Sequence, residues 1–345
     1  MRALFDVSHP AHVHLFKHAA AELGGEGHDV FVASREKDVT TDLLDAAGIA
    51  HSPLTGVCDG RYGTAREWVA REGRLLRLVR RFDPDVVVSR LNPAAAHVSR
   101  LLGVPNVVFH DSEFAGLLER VTTPFATVVC TPAGFGRDFG ERQRRYEGFH
   151  ELAYLHPARF EPDPDALREA GVDPDEPYAV LRFVAMGAHH DVGHESLSPA
   201  DKRELVERLE EEAGLTVYVS SEGPLPADLD DRRVPVPPEA VHQLLAHADV
   251  YAGDSGTMAT EAAVLATPTA RFNPYGDEMG NFHELHEYGL VRTLHGVSDF
   301  VDAAVALATD PDAGDRWRTR RRDMLAEKVD VTAYMLETVR EVAAA

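Results

Sequence analysis

The sequence predicts an α/β protein made of two doubly wound halves, each a parallel sheet with helices on both faces. Three observations lead there. Short apolar, β-branched runs alternate with amphipathic helical segments along most of the chain, the pattern of a sheet buried on both sides. The alternation lapses where Pro and Asp accumulate, around Asp163-Pro164 and Asp173–Pro177, and restarts at Tyr178. A length of 345 residues suits two domains, at roughly 100–200 residues each.

In the first half, Ala3–Val7 reads as a strand. Ala11–Gly27 follows as a helix with Phe16, Ala19, Ala20 and Leu23 on one face. Asp29–Ala33 is a strand, and Thr40–Ala47 a helix closed by Gly48. Gly63–Phe82 is a long helix that Asp83-Pro84 stops; Asp85–Ser89 is a buried strand. Pro93–Leu102 is a helix, with strands at Asn106–His110 and Thr127–Thr131. In the second half, strands are expected at Tyr178–Phe183, Leu215–Ser220, Val250–Ala252 and Pro268–Phe272. Helices are expected at Ala200–Ala213, Glu239–His247, Gly256–Leu265 and Ser298–Ala308. Arg316–Ala345 reads as a terminal helix with a basic start. The domains expected are 1–150 and 151–345, with the terminal helix packing back on the first. Ligands of such sheets sit beyond the carboxyl ends of the strands, so a cleft between facing halves is the expected site.

Composition narrows the class of partner. Lys+Arg is 35 and Asp+Glu is 57, a formal net charge of −22. So negative a field disfavours nucleic acid. Lys17, Lys37, Lys202 and Lys328 are the only lysines. Scarce lysine and abundant carboxylate resemble the composition of extreme halophiles, whose repulsion concentrated salt screens. Without a run of ~18 apolar residues, no membrane span is expected. The N-terminal MRALFDVSHP lacks the apolar run of a signal peptide, which points to the cytoplasm. Cys58 and Cys130 are too few for a disulfide framework.

Four stretches carry candidate chemistry, each after a strand. In the first, Ser8-His9-Pro10-Ala11-His12-Val13-His14, histidines meet a helix N-terminus. There His9, His12 and His14 are candidates for acid–base work or anion binding; the plain alternative is capping or packing. The Gly-x-Gly-x-x-Gly spacing of a dinucleotide site is absent. The second, Arg182–His194, offers Arg182 to pair with phosphate, and His189 and His190 to line the same site. Its His189, His190, Asp191 and His194 also supply atoms that zinc or manganese would accept, but adjacent loop histidines often fail to converge, and no metal is expected. The third is Gly253-Asp254-Ser255-Gly256-Thr257, a small-residue turn into a helix that suits a pyrophosphate, with Glu261 further along for ribose hydroxyls. Its alternative is that Ser255 or Asp254 merely caps the helix. The fourth, Asn273–Phe282, is a polar loop in which Asn273, Glu278 and Asn281 could read sugar hydroxyls.

Taken together, His9–Phe16 with Lys17, Arg35 and Asp38, the string Glu151–Pro157, Arg182–His194 and Glu278–Phe282 resemble the motifs of domain-of-unknown-function family 354. The likeness spans nearly the whole chain. It implies a GT-B-like fold, that of sugar-nucleotide enzymes, and no settled activity. More distantly, Asp254-Ser255-Gly256 with Glu261-Ala262 is similar to the Asp-Ser-Gly-Gly…Glu-Glu-Ala turn of non-hydrolysing UDP-N-acetylglucosamine 2-epimerases. There the turn holds the pyrophosphate and the second Glu the ribose, roles this likeness extends to Ser255, Gly256 and Glu261. Thr257 replaces the second Gly, and Val7-Ser8-His9-Pro10 stands where the epimerases carry Gly-Thr-Arg-Pro-Glu, which counts against epimerase activity.

The leading expectation is an inverting, metal-independent GT-B glycosyltransferase without a cofactor. It takes a nucleotide-activated sugar, UDP-linked in the first instance, and a glycan or lipid-linked acceptor in cell-envelope synthesis, with peripheral membrane association compatible. His12 is the first choice of base, His9 the second. The alternatives are a UDP-sugar 2-epimerase-like isomerase, a non-catalytic sugar-nucleotide-binding protein, and a metal hydrolase built on the two histidine clusters.

Overall fold

The computed structural model describes residues 1–37, 39–56, 63–184, 197–276 and 279–345. The chain divides into two compact units. One takes in Met1–Phe160, Met279–Asn281 and Lys328–Ala345; the other takes in Glu161–Glu278 and Phe282–Glu327.

The first unit runs β1 (Arg2–Asp6), α1 (Pro10–Gly25), β2 (Asp29–Glu36), α2 (Thr40–Ala46), β3 (His51–Gly56), α3 (Gly63–Phe82), β4 (Val86–Arg90), α4 (Pro93–Leu102), β5 (Asn106–Phe109), α5 (Gly116–Thr122), β6 (Val128–Pro132), β7 (Gln143–Tyr146) and α6 (Leu152–Leu155). Its strands form a parallel sheet in the order β3-β2-β1-β4-β5-β6-β7. The order reverses between β1 and β4, where Leu4, Phe5, Val87 and Val88 are fully buried. Helix α1 begins at Pro10, whose fixed φ suits a first helical position. It buries Val13, Phe16, Ala20 and Leu23 at helical spacing. Asp83, with φ of 51°, turns the chain out of α3 ahead of Pro84.

The second unit runs α7 (Pro164–Glu169), β8 (Tyr178–Phe183), α8 (Pro199–Glu212), β9 (Thr216–Ser221), α9 (Val241–His247), β10 (Val250–Gly253), α10 (Gly256–Val264), β11 (Thr269–Phe272), α11 (Gly280–Glu287, whose first residues count with the first unit), β12 (Arg292–Leu294), α12 (Val297–Ala308) and α13 (Ala313–Glu327). Its parallel sheet has the order β12-β11-β10-β8-β9 and reverses between β8 and β10.

Three expectations change. The terminal segment is two helices, α13 and then α14 (Val331–Ala344), because Asp330 caps a new start through the N–H groups of Thr332 and Ala333. Helix α14 is fastened within the first unit by Thr332 Oγ1 donating to the Ala153 carbonyl at 2.7 Å and by Arg340 paired with Glu26. Asn281 sits in the first turn of α11, not in a loop. Strands β3, β7 and β12, unforeseen in the sequence, extend the sheets at their edges.

Candidate functional site

In an open parallel sheet the strand ends at the point of reversal leave a crevice that neighbouring loops cannot fill. Both units therefore have such a place, and three of the four sequence clusters follow strands that flank one.

In the first unit it lies past β1 and β4. His9 is the N-cap of α1: its Nδ1 accepts from the Ala11 N–H at 3.3 Å. His12 lies one turn in, its ring 5.9 Å from that of His9. His12 Nδ1 is 3.4 Å from both the Ser8 N–H and the Ser8 hydroxyl. Burial, with help from the Arg90 and His9 charges, pushes the His12 pKa well below its ordinary value, against the pull of Asp111. The ring is therefore neutral at neutral pH and able to take a proton. His14 points elsewhere, packing its ring 5.2 Å from that of Tyr154 on α6.

Residues that, Arg35 apart, no motif singled out complete this end of the sheet. Arg90, the last residue of β4, pairs with Asp111 just past β5, and the other Asp111 oxygen lies 2.7 Å from His150 Nδ1. Burial pushes the Asp111 carboxyl up, but Arg90 and His150 together hold it well below the usual carboxylate range. His150 is itself kept neutral by burial, although Asp111 works the other way. One strand over, the buried Asp6 carboxylate takes Arg71 on one oxygen and Asn92 on the other. Glu67 is clasped by Arg35 through contacts of 2.5 and 2.7 Å. Arg35, Glu67, Arg71 and Asn92 line a cavity of about 380 Å³ with Ser8, Trp68 and His97. The signal for Asp111 was the position rule itself: it follows a strand end, as the first cluster does.

In the second unit, Gly253 ends β10 beside Arg182 of β8. A Cβ on Gly253 would stand 2.3 Å from the Arg182 carbonyl oxygen, so no other residue fits there. Asp254 N–H donates to that carbonyl at 3.2 Å, and Asp254 Oδ1 accepts from Val184 N–H at 2.8 Å. Burial raises the Asp254 pKa to about 6, against the hydrogen bond from Val184 N–H and the Lys202 and Arg182 charges. Ser255 is the N-cap of α10, its Oγ accepting from Met258 N–H at 3.3 Å. Gly256 and Thr257 come next, and helix geometry gives their N–H groups no partner inside the helix. The turn thus sets small residues at a helix start beside the ends of β8 and β10.

The other residues assigned to this site are already engaged. Arg182 reaches Ser220 Oγ and Glu222 Oε1, both at 2.6 Å, so binding phosphate requires it to exchange partners. Glu261 is buried in α10 and meets His242 of α9 at 3.0 Å, a partner the sequence did not suggest. Asn273, buried past β11, turns the chain by accepting from Tyr275 N–H at 3.2 Å. His189, His190, Asp191 and His194 of the second cluster, and Glu278 of the fourth, lie outside the described residues. Among the described residues no group of three or more His, Cys, Asp or Glu side chains is arranged to hold a metal ion. Nor is any helix of theirs long and apolar enough to cross a membrane.

Residues 1–344 match the model of the family described as Protein of unknown function (DUF354). The chain belongs to the DUF354 family. A relative of this DUF354 protein, Uncharacterized protein MJ0665 of Methanocaldococcus jannaschii, is 23% identical over 290 residues, covering 78% of this chain and 81% of that one. Among solved structures, the UDP-GlcNAc 2-epimerase from Neisseria meningitidis bound to UDP-GlcNAc superposes with a TM-score of 0.70 at 11% identity, over 99% of this chain and all of that one. The spinosyn forosaminyltransferase SpnP gives 0.67 at 18% identity over the full length of both. The spinosyn rhamnosyltransferase SpnG complexed with thymidine diphosphate gives 0.63 at 16%, over 98% and 100%. At such identities the likeness establishes the fold. The DUF354 chain has the GT-B-like α/β fold that the sequence led one to expect.

Proposed function

We propose that this DUF354 protein is a glycosyltransferase that takes its sugar from a nucleoside diphosphate, UDP in the first instance, and delivers it to a glycan or lipid-linked acceptor of the cell envelope. The observation that carries the reading is the turn from Gly253 to Thr257. A helix start whose first N–H groups, those of Gly256 and Thr257, have no partner inside the helix, together with small side chains, offers a diphosphate close backbone approach and a favourable helix dipole, while Gly253 lets β10 pack tightly against the Arg182 backbone. Structural neighbours solved with thymidine diphosphate and with UDP-GlcNAc bound support it.

In this mechanism the acceptor hydroxyl gives its proton to His12 as its oxygen attacks the sugar's anomeric carbon. The bond from that carbon to the diphosphate oxygen breaks, and the electron pair leaves with the diphosphate. The α10 N-terminus, and Arg182 once freed from Glu222, stabilise the charge that develops. Glu261 holds the ribose. A second reading, an epimerase-like isomerase, draws on the Asp254-Ser255-Gly256 and Glu261 pattern; it turns over a sugar nucleotide with no acceptor present.

Thermal unfolding of the intact protein with UDP, thymidine diphosphate and GDP tests the proposal. A ligand at 100 times its Kd adds ~2.7 kcal/mol of stability, so one of the three should raise the midpoint by a few degrees. No shift with any of them, at millimolar concentration, would overturn the donor site. Conversion of UDP-GlcNAc alone to a second sugar nucleotide would favour the isomerase.

A further inference from the structure

We infer that the face of the first unit formed by α3, α4 and α5 docks on an anionic lipid surface. It is the wrong kind of surface for this protein. In a chain of net charge −22, α3 carries six arginines against two glutamates. Val69 and Leu76 lie seven residues apart on one stripe of α3, with Arg80 four residues further along it. Val69 is 72% exposed, and across a groove of about 620 Å³ it faces Leu101 of α4, 69% exposed, and Phe125. Leu117 on α5 is 73% exposed and Trp68 on α3 51%.

The charges around this apolar strip have no carboxylate partner among the described residues. Elsewhere, exposed arginines such as Arg168, Arg233, Arg318 and Arg340 are held by carboxylates. Arg66, Arg77, Arg80 and Arg81 of α3, Arg100 of α4 and Arg120 of α5 are all exposed, and none has a hydrogen-bonded or ion-paired carboxylate among the described residues. Six exposed arginines without a carboxylate among the described residues, gathered around protruding Trp, Val and Leu side chains, fit a partner that is negative at its surface and apolar beneath. An anionic bilayer is that partner: its headgroups attract the cations and its acyl boundary takes the apolar side chains. An acidic protein partner would satisfy the arginines and leave the apolar strip wanting. Docking stands on this surface alone. That it also brings a lipid-borne acceptor to the cavity lined by Trp68 and Leu118 rests on the transferase reading.

The test is co-sedimentation of the full chain with vesicles of phosphatidylcholine alone or mixed with phosphatidylglycerol. It is run without nucleotide at the lowest KCl concentration that preserves the far-UV circular dichroism spectrum. The mixed vesicles should bind the protein and the pure phosphatidylcholine vesicles far less. Arg77→Gln and Arg80→Gln should each lower the partition coefficient roughly fivefold, the worth of one cation at such a surface. Val69→Ser with Leu101→Ser should lower it at least as much, with circular dichroism unchanged. Equal binding by wild type and variants would overturn the proposal. So would absence of binding, including the case of a dimer by light scattering that Val69→Ser with Leu101→Ser converts to monomer, which would assign the face to a second copy. Because no nucleotide is present, failure here leaves the donor-site test untouched.

Discussion

At the scale of single residues, the proposed base depends on which ring nitrogen of His12 carries the hydrogen. The backbone N–H of Ser8 can only donate to Nδ1, which leaves the hydrogen on Nε2 and that nitrogen unable to act. The Ser8 hydroxyl, also 3.4 Å away, can accept instead, so proton transfer to Nε2 requires Nδ1–H to turn to Ser8 Oγ. His12→Ala should therefore lower turnover by about 10²–10⁴, the usual reach of a general base. Ser8→Ala should lose a fraction of that in kcat, with KM for the donor unchanged. The pH profile follows from the lowered His12 pKa. Activity should be level from pH 7 to 8 and fall only on the acid side, below 6.5, as the imidazole is protonated. A wild-type profile that instead rises through pH 7, with Ser8→Ala indistinguishable in kcat, would remove His12 from the role. The histidine cluster was legible because it is dense and follows a strand. What each member does was not: His9 caps, His12 turns back to Ser8 and His14 packs on Tyr154, and these differences come from helical angles of about 100° per residue. Arg90, Asp111 and His150 stayed hidden because three separate segments bring them together.

Among the elements, α10 and the strand before it carry the sharpest dependence on pH. The Asp254 pKa of about 6 in the folded chain exceeds the ~3.9 of an unfolded Asp. The folded chain thus keeps a proton that the unfolded chain releases between those values. The resulting stability is complete below the unfolded pKa and lost as pH rises through about 6. Asp254→Asn never ionises and keeps an oxygen for the Val184 N–H. Its unfolding midpoint should exceed that of the wild type at pH 7.5 and converge with it near pH 4; a gap of the same size at both would show that Asp254 does not hold its proton. Elements this apolar were readable in advance: β8 matches Tyr178–Phe183 to the residue, and α4 matches Pro93–Leu102. The edge strands were not. β3 contains Pro53, and β7 reads Gln143-Arg144-Arg145-Tyr146, so neither shows the apolar run that marks a central strand. The break between α13 and α14 was hidden for a different reason, since Lys328–Asp330 holds no Gly or Pro and declares itself only through the Asp330 cap.

For the whole molecule, charge is distributed so that salt should act in two opposed ways. The surplus of carboxylates is not spread evenly: α8 alone sets six acidic residues against three basic ones, and Arg208 must serve both Glu212 and Asp302. Repulsion among such groups opposes the compact state. Its range shrinks as the Debye length drops from ~10 Å at 0.1 M salt to ~3 Å at 1 M. The unfolding midpoint should therefore rise steadily from 0.1 to 3 M KCl, most steeply in the first molar. The same screening acts on the bare arginines of α3, α4 and α5, so attachment to anionic vesicles should weaken over the interval in which the fold strengthens, down to the part supplied by Trp68, Val69 and Leu101. A midpoint that stays flat or falls would show that the acidic surface does not limit stability. Sorbitol of equal osmolality separates charge from solvent exclusion, because excluded solutes strengthen burial without screening. If sorbitol reproduces the full rise, the carboxylates are not its cause. If it reproduces only the shallow part above 1 M, the steep early rise belongs to the −22 charge itself.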